Sequence, residues 1–219
     1  MDNMVKDEIK DYALRSTGPE PELQIELTEK TAKTVGKTVM LTDRTVGRLM
    51  KILVAMVQPR LVLELGSFTG YSALNMAEGL PEGGKIITCE IDPEHARIAR
   101  EAFDASPYGD KIEIRMGPAL ETIRGIEEPI DFSFIDADKI GYPEYYEEVL
   151  SRTRPGGIIL FDNMFMDGRA LNPEDEAARV INRLNKSLAE DSRVENVFLT
   201  IRDGLQLVRK LPAVEMVSQ

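Results

Sequence analysis

Oxygen-bearing side chains follow two apolar segments of this chain, at points where parallel strands of a sheet would end. Asp136 comes directly after residues 132–135 (FSFI). Asp162 and Asn163 come directly after residues 158–161 (IILF). Ligands of open α/β sheets bind beyond the carboxyl ends of the strands, and such oxygens suit Mg²⁺, Mn²⁺ or Ca²⁺ rather than zinc or copper. The pattern indicates a hard-cation site. From the residues alone, a helix cap at Asp136 and a turn at Asp162 form the simpler alternative.

Two basic side chains near predicted strand ends allow different interpretations. Lys139 follows Asp136 by three positions. A lysine beside a metal in a partly dry pocket can act as a general base, whereas a surface lysine paired with an acid is the simpler explanation from the residues alone. His95, the single histidine of the sequence, falls in a predicted helix between Glu94 and Arg97. We expect His95 to be exposed.

The segment 61–72 (LVLELGSFTGYS) predicts a strand, a glycine turn and a helix in succession. The glycines, Gly66 and Gly70, do not have the G-x-G-x-x-G spacing of dinucleotide sites. Glu64 precedes the turn, and Glu90 ends the next predicted strand, where an acid can accept hydrogen bonds from ribose hydroxyls. A tight strand–helix turn with a solvated acid would explain each feature singly. Together they favour a nucleoside ligand, and S-adenosylmethionine over NAD.

The rest of the pattern predicts an α/β fold preceded by helices. Helices are expected at 4–15 and 22–35, and a third, capped by Thr42 or Asp43, ends at Pro59. Strands at 61–65, 86–90, 111–115, 131–135 and 157–161 then alternate with helices at 71–79, 93–104, 119–125, 143–153 and 174–189. Pro155-Gly156-Gly157 predicts a sharp turn into the fifth strand. Segments 194–201 and 204–209 are too close for a parallel crossover, so we expect a hairpin and one antiparallel strand near the sheet edge.

Composition limits the classes of function. The 219 residues allow one domain with additions, and a net charge of -11 argues against non-specific binding to nucleic acid or anionic membranes. The sequence contains no apolar run of the length that spans a bilayer, and its N-terminus lacks an apolar signal core, so a cytoplasmic protein is expected. The single cysteine, Cys89, lies in a predicted strand and is expected to be buried and inert.

The segment 162–174 is long and polar for a connection inside a compact domain, which is typical of lids and binding loops. Met164, Phe165 and Met166 either line a flat apolar substrate slot or anchor the loop. The residues leave both alternatives open.

Six motifs, in this order, carry a resemblance to a known family: ELGSFTGYSAL, GKIITCEIDPEHARIAR, KIEIRMGPAL, FSFIDADKIGYPEYYEEVL, RPGGIILFDN and DGLQL. Over about residues 40–209 the chain resembles the caffeoyl-CoA O-methyltransferases, cation-dependent class I methyltransferases that act on vicinal hydroxyls. The resemblance implies a Rossmann-like, mostly parallel seven-stranded sheet with an antiparallel C-terminal hairpin. It also implies a homodimer. We divide the chain into an N-terminal helical cover (1–40) and a methyltransferase domain (41–219).

The resemblance also implies roles for individual residues. The implied ligands of a divalent cation, with Mg²⁺ first and Mn²⁺ or Ca²⁺ as alternatives, are Asp136, Asp162 and Asn163. Lys139 matches the candidate base, and Asp136 is included in the catalytic set. The residues implied to lie along the S-adenosylmethionine site are Thr42, Glu64, Gly66, Ser67, Ser72, Glu90, Ala119, Asp136 and Asp138.

The chain departs from the family at the acceptor side. After Asp162-Asn163 the family usually has a tryptophan at the position of Met166, and the N-terminal segment matches poorly. The expected activity is methylation of one hydroxyl of a catechol-type small molecule. The alternatives are a metal-independent methyltransferase acting on another nucleophile and a non-catalytic nucleoside-binding module. The acidic balance disfavours RNA as a substrate.

Overall fold

A seven-stranded sheet forms the centre of the computed structural model, which describes residues 6–213. The strands are β1 (Leu61–Leu65), β2 (Lys85–Glu90), β3 (Ile112–Met116), β4 (Ile130–Ile135), β5 (Thr153–Phe161), β6 (Val194–Leu199) and β7 (Leu205–Lys210). The helices are α1 (Asp7–Ser16), α2 (Glu22–Thr34), α3 (Arg44–Val57), α4 (Tyr71–Ala77), α5 (Pro93–Asp104), α6 (Ala119–Arg124), α7 (Tyr142–Arg152) and α8 (Glu176–Glu190).

The strand order is β3-β2-β1-β4-β5-β7-β6. Strands β1 to β5 pair in parallel, while β7 is antiparallel to both β5 and β6. The predicted fold class and the antiparallel strand near the edge are therefore confirmed. After β3 the chain crosses back to place β4 beside β1, and such a switch point in strand order is where open α/β sheets bind ligands.

Alternating side chains divide the core between the two faces of the sheet. Leu61, Leu63 and Leu65 of β1 join the apolar cluster under α6, α7 and α8, whereas Val62 joins the cluster under α2 to α5. This period of two is the geometry of a strand. Because helices cover both faces, the whole of β1 is buried, which explains the apolar run at residues 61–63 and leaves Glu64 as a buried acid.

The N-terminal helices pack beside the glycine turn. Asp43 is the N-cap of α3, and its carboxylate accepts from Val46 N at 3.0 Å, so of the two predicted caps Asp43 is the one formed. Helix α2 is held to the turn by Thr31, whose hydroxyl lies 2.8 Å from that of Thr69. The predicted first helix begins instead at Asp7, and its expected residues 4 and 5 lie outside the described part of the chain.

The predicted turn at Pro155-Gly156-Gly157 is wrong. The chain stays in the sheet, and β5 begins at Thr153. The register shifts between Ile130 and Phe132, which pair with Thr153 and Ile158 respectively, so the proline and glycines form a bulge rather than a separate connection. All other helix and strand ends lie within two residues of the predicted ones, and those of β1 and α5 coincide with them. Within residues 6–213 no helix has the length and apolar content of a bilayer span.

Candidate active site

The glycine turn after β1 lies against the end of β4. The N–H groups of Gly66 and Ser67 donate to Cys89 O at 3.2 and 2.9 Å. Gly66 has φ of 95°, and a Cβ atom there would lie 2.2 Å from Asp136 O. Only glycine permits this approach, which brings the turn together with the predicted metal ligand. Cys89 is buried, as expected, and burial raises the pKa of its thiol to about 12.

Glu64 is buried completely beneath the turn. Burial raises the pKa of its carboxyl from 4.5 to about 8, despite hydrogen bonds from Ser72 and Thr88. Glu64 Oε1 and the nearby Ser67 Oγ are buried without hydrogen-bond partners. Buried polar atoms left unpaired are costly, so these two atoms are suited to a ligand that donates hydrogen bonds.

Glu90 ends β2 and is held by the backbone. Its carboxylate accepts from the N–H groups of Phe68 at 2.7 Å and of Ile91 and Asp92 at 2.9 Å each. The prediction that His95 is exposed is wrong. Its side chain is only 17% exposed, with Nδ1 3.8 Å from Glu90 Oε1, and its ring stands edge-on to Phe68 at a centroid distance of 4.6 Å. Phe68 has a left-handed backbone, with φ of 48°.

Asp136, directly after β4, forms an ion pair with Lys139. Lys139 Nζ lies 2.9 Å from Asp136 Oδ1 and 2.6 Å from the hydroxyl of Tyr142. Tyr142 in turn donates to the carbonyls of Ile135 at 3.0 Å and Asp162 at 3.2 Å. The hydroxyl thus joins the ends of β4 and β5 to the lysine.

Asp162 and Asn163 follow β5, next to β4 in the sheet. Asp162 is buried, and Asn163 N donates to its Oδ1 at 2.7 Å. Burial, followed by repulsion from Asp136, raises the pKa of Asp162 from 3.8 to about 7, with Arg202 acting in the opposite direction. Asp162 N donates to Ile135 O at 3.1 Å, so Asp162 and Asp136 stand at the adjacent ends of β5 and β4. Residues 6–213 contain no cluster of three His, Cys, Asp or Glu side chains able to hold a metal, so a three-ligand site here requires the Asn163 amide.

A cavity of about 1340 Å³ opens above these strand ends. Ligand pockets commonly measure about 300–1,000 Å³, so the space is sufficient for two small ligands. Glu64 and Asp162 do not line it and lie behind its wall. The predicted site residues that do line it are Thr42, Gly66, Ser67, Ser72, Glu90, Ala119, Asp136, Asp138, Lys139 and Asn163.

The structure gives different roles to Met164, Phe165 and Met166 in the loop after β5, for which the sequence left two alternatives open. Met164 is fully buried, and Phe165 packs on Phe198 at a centroid distance of 4.6 Å, so both anchor the loop. Met166 is also mostly buried but lines the cavity. The sequence interpretation did not single out Arg202, which lines the cavity from the β6–β7 turn. Its position in the predicted hairpin link was the only signal available.

The sheet order and the cavity at its strand ends define a Rossmann-like α/β fold with a ligand site at the switch point. The sequence model of the O-methyltransferase family matches residues 14–211. The chain therefore belongs to the O-methyltransferase family, as the resemblance implied, and its class as a methyl-transferring enzyme is confirmed.

Individual relatives agree with this assignment. Caffeoyl-CoA O-methyltransferase 2 of Zea mays is 35% identical over 206 residues, covering 88% of this chain and 78% of the relative. The catechol O-methyltransferase of Niastella koreensis is 32% identical over 205 residues, covering 91% and 92%. Among solved structures, the Bacillus cereus O-methyltransferase in complex with SAH (S-adenosylhomocysteine) is 30% identical, with a TM-score of 0.85 and coverage of 93% and 97%.

Proposed function

We propose that this protein transfers a methyl group from S-adenosylmethionine to one hydroxyl of a catechol-type small molecule, with the help of a divalent cation. The relative solved with SAH supports the donor, and the catechol and caffeoyl-CoA relatives support the acceptor class. The cavity volume supports two ligands side by side.

The donor would lie between the glycine turn and Glu90. Glu90 and Ala119 face the cavity on the β2 and α6 side, where the resemblance puts ribose and adenine. Ser67 and Ser72 face it at the turn, in front of Glu64. The unpaired Oγ of Ser67, a residue that lines the cavity, suits the donor's ammonium group, which has only hydrogen-bond donors to offer.

The residues of the metal site fit a hard cation. Asp136 and Asn163 line the cavity with a carboxylate and an amide, and the buried carboxylate of Asp162 stands at the neighbouring strand end. We propose that these three side chains hold the cation. When bound, S-adenosylmethionine would supply the methyl group, and a cation held by these residues would supply Lewis-acid chemistry that lowers the pKa of an acceptor hydroxyl. Lys139, held beside Asp136 by Tyr142, would take the proton at Nζ.

The proposal depends most on one observation, the position of Asp136 and Asp162 directly after the paired residues Ile135 and Phe161 of β4 and β5, next to a lysine. Its test is turnover of a catechol panel, followed by mass spectrometry, with and without Mg²⁺. Asp136→Ala should abolish turnover and leave the affinity for SAH nearly intact. Full turnover in that variant, or in excess EDTA, would contradict the metal role.

A metal-independent methyltransferase remains the second candidate, because both carboxylates already have a cationic neighbour. Lys139 pairs with Asp136, and Arg202 Nη1 lies 3.4 Å from Asp162 Oδ2. Such pairs would compensate buried charge without a metal. Turnover that is insensitive to chelation, on an acceptor with a single nucleophile, would favour this candidate.

The proposal includes a cover and a second subunit. Ile9, Ala13 and Leu14 of α1 line the cavity, which supports an N-terminal cover made by residues 1–40 over a methyltransferase domain at 41–219. The resemblance implies a homodimer, and Ile52 and Met56, exposed one turn apart on α3, are apolar side chains that a second copy could cover. Light scattering after gel filtration tests this, and a monomer at working concentration would contradict it.

A further inference from the structure

Arg202 lies in the β6–β7 turn (residues 200–204) with an unfavourable backbone conformation. Its φ is 50°, in the left-handed region that costs conformational energy for any residue with a Cβ atom. Gly204, two positions later, adopts φ of 82° without that cost. Strained backbone conformations cluster at functional sites, which suggests that the contacts of the Arg202 side chain matter for the site.

The guanidinium group of Arg202 lies between the N-terminal segment and a proposed metal ligand. Nη2 donates to Leu41 O at 2.7 Å, and Nη1 lies 3.4 Å from Asp162 Oδ2. The Arg202 side chain is 23% exposed, whereas that of Asp162 is fully buried. The guanidinium is therefore a cation directed at the buried carboxylate from the wall of the cavity.

The backbone holds this position. The loop that begins with Asn163 is pinned to the β6–β7 turn by hydrogen bonds that do not involve the arginine side chain. These bonds join Met164 N to Gly204 O at 3.0 Å, Phe165 N to Asp203 O at 2.8 Å and Asp167 N to Asp203 Oδ1 at 2.7 Å. The turn and the metal-ligand loop form one unit, so the closeness of Arg202 to Asp162 follows from the fold.

We propose that Arg202 sets the affinity of the site for its divalent cation, keeping that affinity low by competing for Asp162. This inference rests on the proposed metal site. A guanidinium and a metal ion seek the same carboxylate oxygens and repel each other. Lys139 stands in a similar relation to Asp136, but it is assigned to proton transfer. Replacing Arg202 therefore tests the effect of a nearby positive charge on metal binding without removing the proposed general base.

The test is the binding of Mn²⁺ alone, with free Mn²⁺ measured by its electron paramagnetic resonance signal. Arg202→Met removes the charge and keeps an unbranched apolar stem, while Arg202→Lys keeps the charge. Arg124→Met removes the same charge from α6, where Arg124 pairs with Glu144 and Glu148. Coulomb repulsion over a few ångströms at a water-like dielectric predicts about tenfold tighter binding in Arg202→Met. Arg202→Lys and Arg124→Met should stay near wild type.

The outcomes separate this inference from the proposed function. The inference is overturned if folded Arg202→Met, checked by its melting temperature, binds Mn²⁺ no more tightly than wild type does. Equal tightening in Arg124→Met does the same, because the effect would then be one of net charge. Asp162→Asn tests the site itself. If Asp162→Asn binds Mn²⁺ as tightly as wild type, the proposed metal site is wrong. If Asp162→Asn loses Mn²⁺ binding and Arg202→Met does not change it, only the inference about Arg202 is rejected.

Discussion

Replacing Glu64 with glutamine should make the stability of the protein less sensitive to pH. Burial raises the pKa of this carboxyl from 4.5 to about 8. Between those values the unfolded chain ionises Glu64 while the folded chain keeps it protonated. The stability linked to this group is thus fully present below pH 4.5 and is lost as the pH rises toward 8. Glutamine resembles the protonated form and carries no such loss.

The size of the effect follows from linkage. Each pH unit inside this window costs the wild-type protein about 1.4 kcal/mol relative to Glu64→Gln. Between about pH 5.5 and about pH 7.5, wild type should therefore lose about 3 kcal/mol relative to the variant. This loss is a large part of the free energy of unfolding of a typical domain, about 5–15 kcal/mol.

Urea unfolding followed by circular dichroism at the two pH values measures this difference. Glu82→Gln, which removes an exposed carboxylate, controls for the change in net charge. Parallel pH dependence in wild type and Glu64→Gln would refute the reasoning, because the hydrogen bonds from Ser72 and Thr88 would then suffice to keep Glu64 ionised.

Binding of the methyl donor gives a second readout of the same group. If the ammonium of SAH approaches Glu64, the ionised carboxylate is favoured in the complex. Binding at neutral pH should then release a proton in wild type, seen by calorimetry in buffers of different ionisation enthalpy, and release none in Glu64→Gln. Equal proton release in both proteins would place the ammonium elsewhere.

Three further substitutions test the site and its supports. Lys139→Met should lower kcat by about 10²- to 10⁴-fold, as expected for loss of a general base, with SAH affinity kept in calorimetry; an unchanged kcat would exclude Lys139. Gly66→Ala should cost at least about 2 kcal/mol in urea unfolding, because its Cβ would meet Asp136 O at 2.2 Å, and wild-type stability would contradict this. Asp43→Ala should lower the free energy of unfolding by about 1 kcal/mol, because the hydrogen bond from Val46 N is lost. Asp43→Asn should keep most of the wild-type stability, and equal losses in the two variants would argue against capping.

Much of the sheet could be predicted because its signals are local. The apolar run of β1 and the glycine turn after it identify a strand followed by a helix. The two-residue link Arg202-Asp203 excluded a parallel crossover, and the structure has a hairpin there. The bulge at Pro155 was missed because a proline and two glycines predict a turn equally well, and only pairing with β4 keeps them in the sheet.

The order of the strands decided what the local pattern could not. Placement of acids after strands is a property of the sequence, but the interaction of Asp136 with Asp162 requires β4 to lie beside β5. His95 lines the cavity from α5 with its ring against Phe68, a contact that depends on the packing of α5 beside the glycine turn.

By itself, the sequence determined the alternation of strands and helices and the residue types at the strand ends, because both depend on neighbours a few positions apart. Only the tertiary structure brought Arg202 to Asp162, 40 positions earlier, and to Leu41, 161 positions earlier. The physical reason is the insertion of β7 beside β5, with Phe161 opposite Gln206. That pairing sets the β6–β7 turn against the end of β5, and no local pattern encodes it.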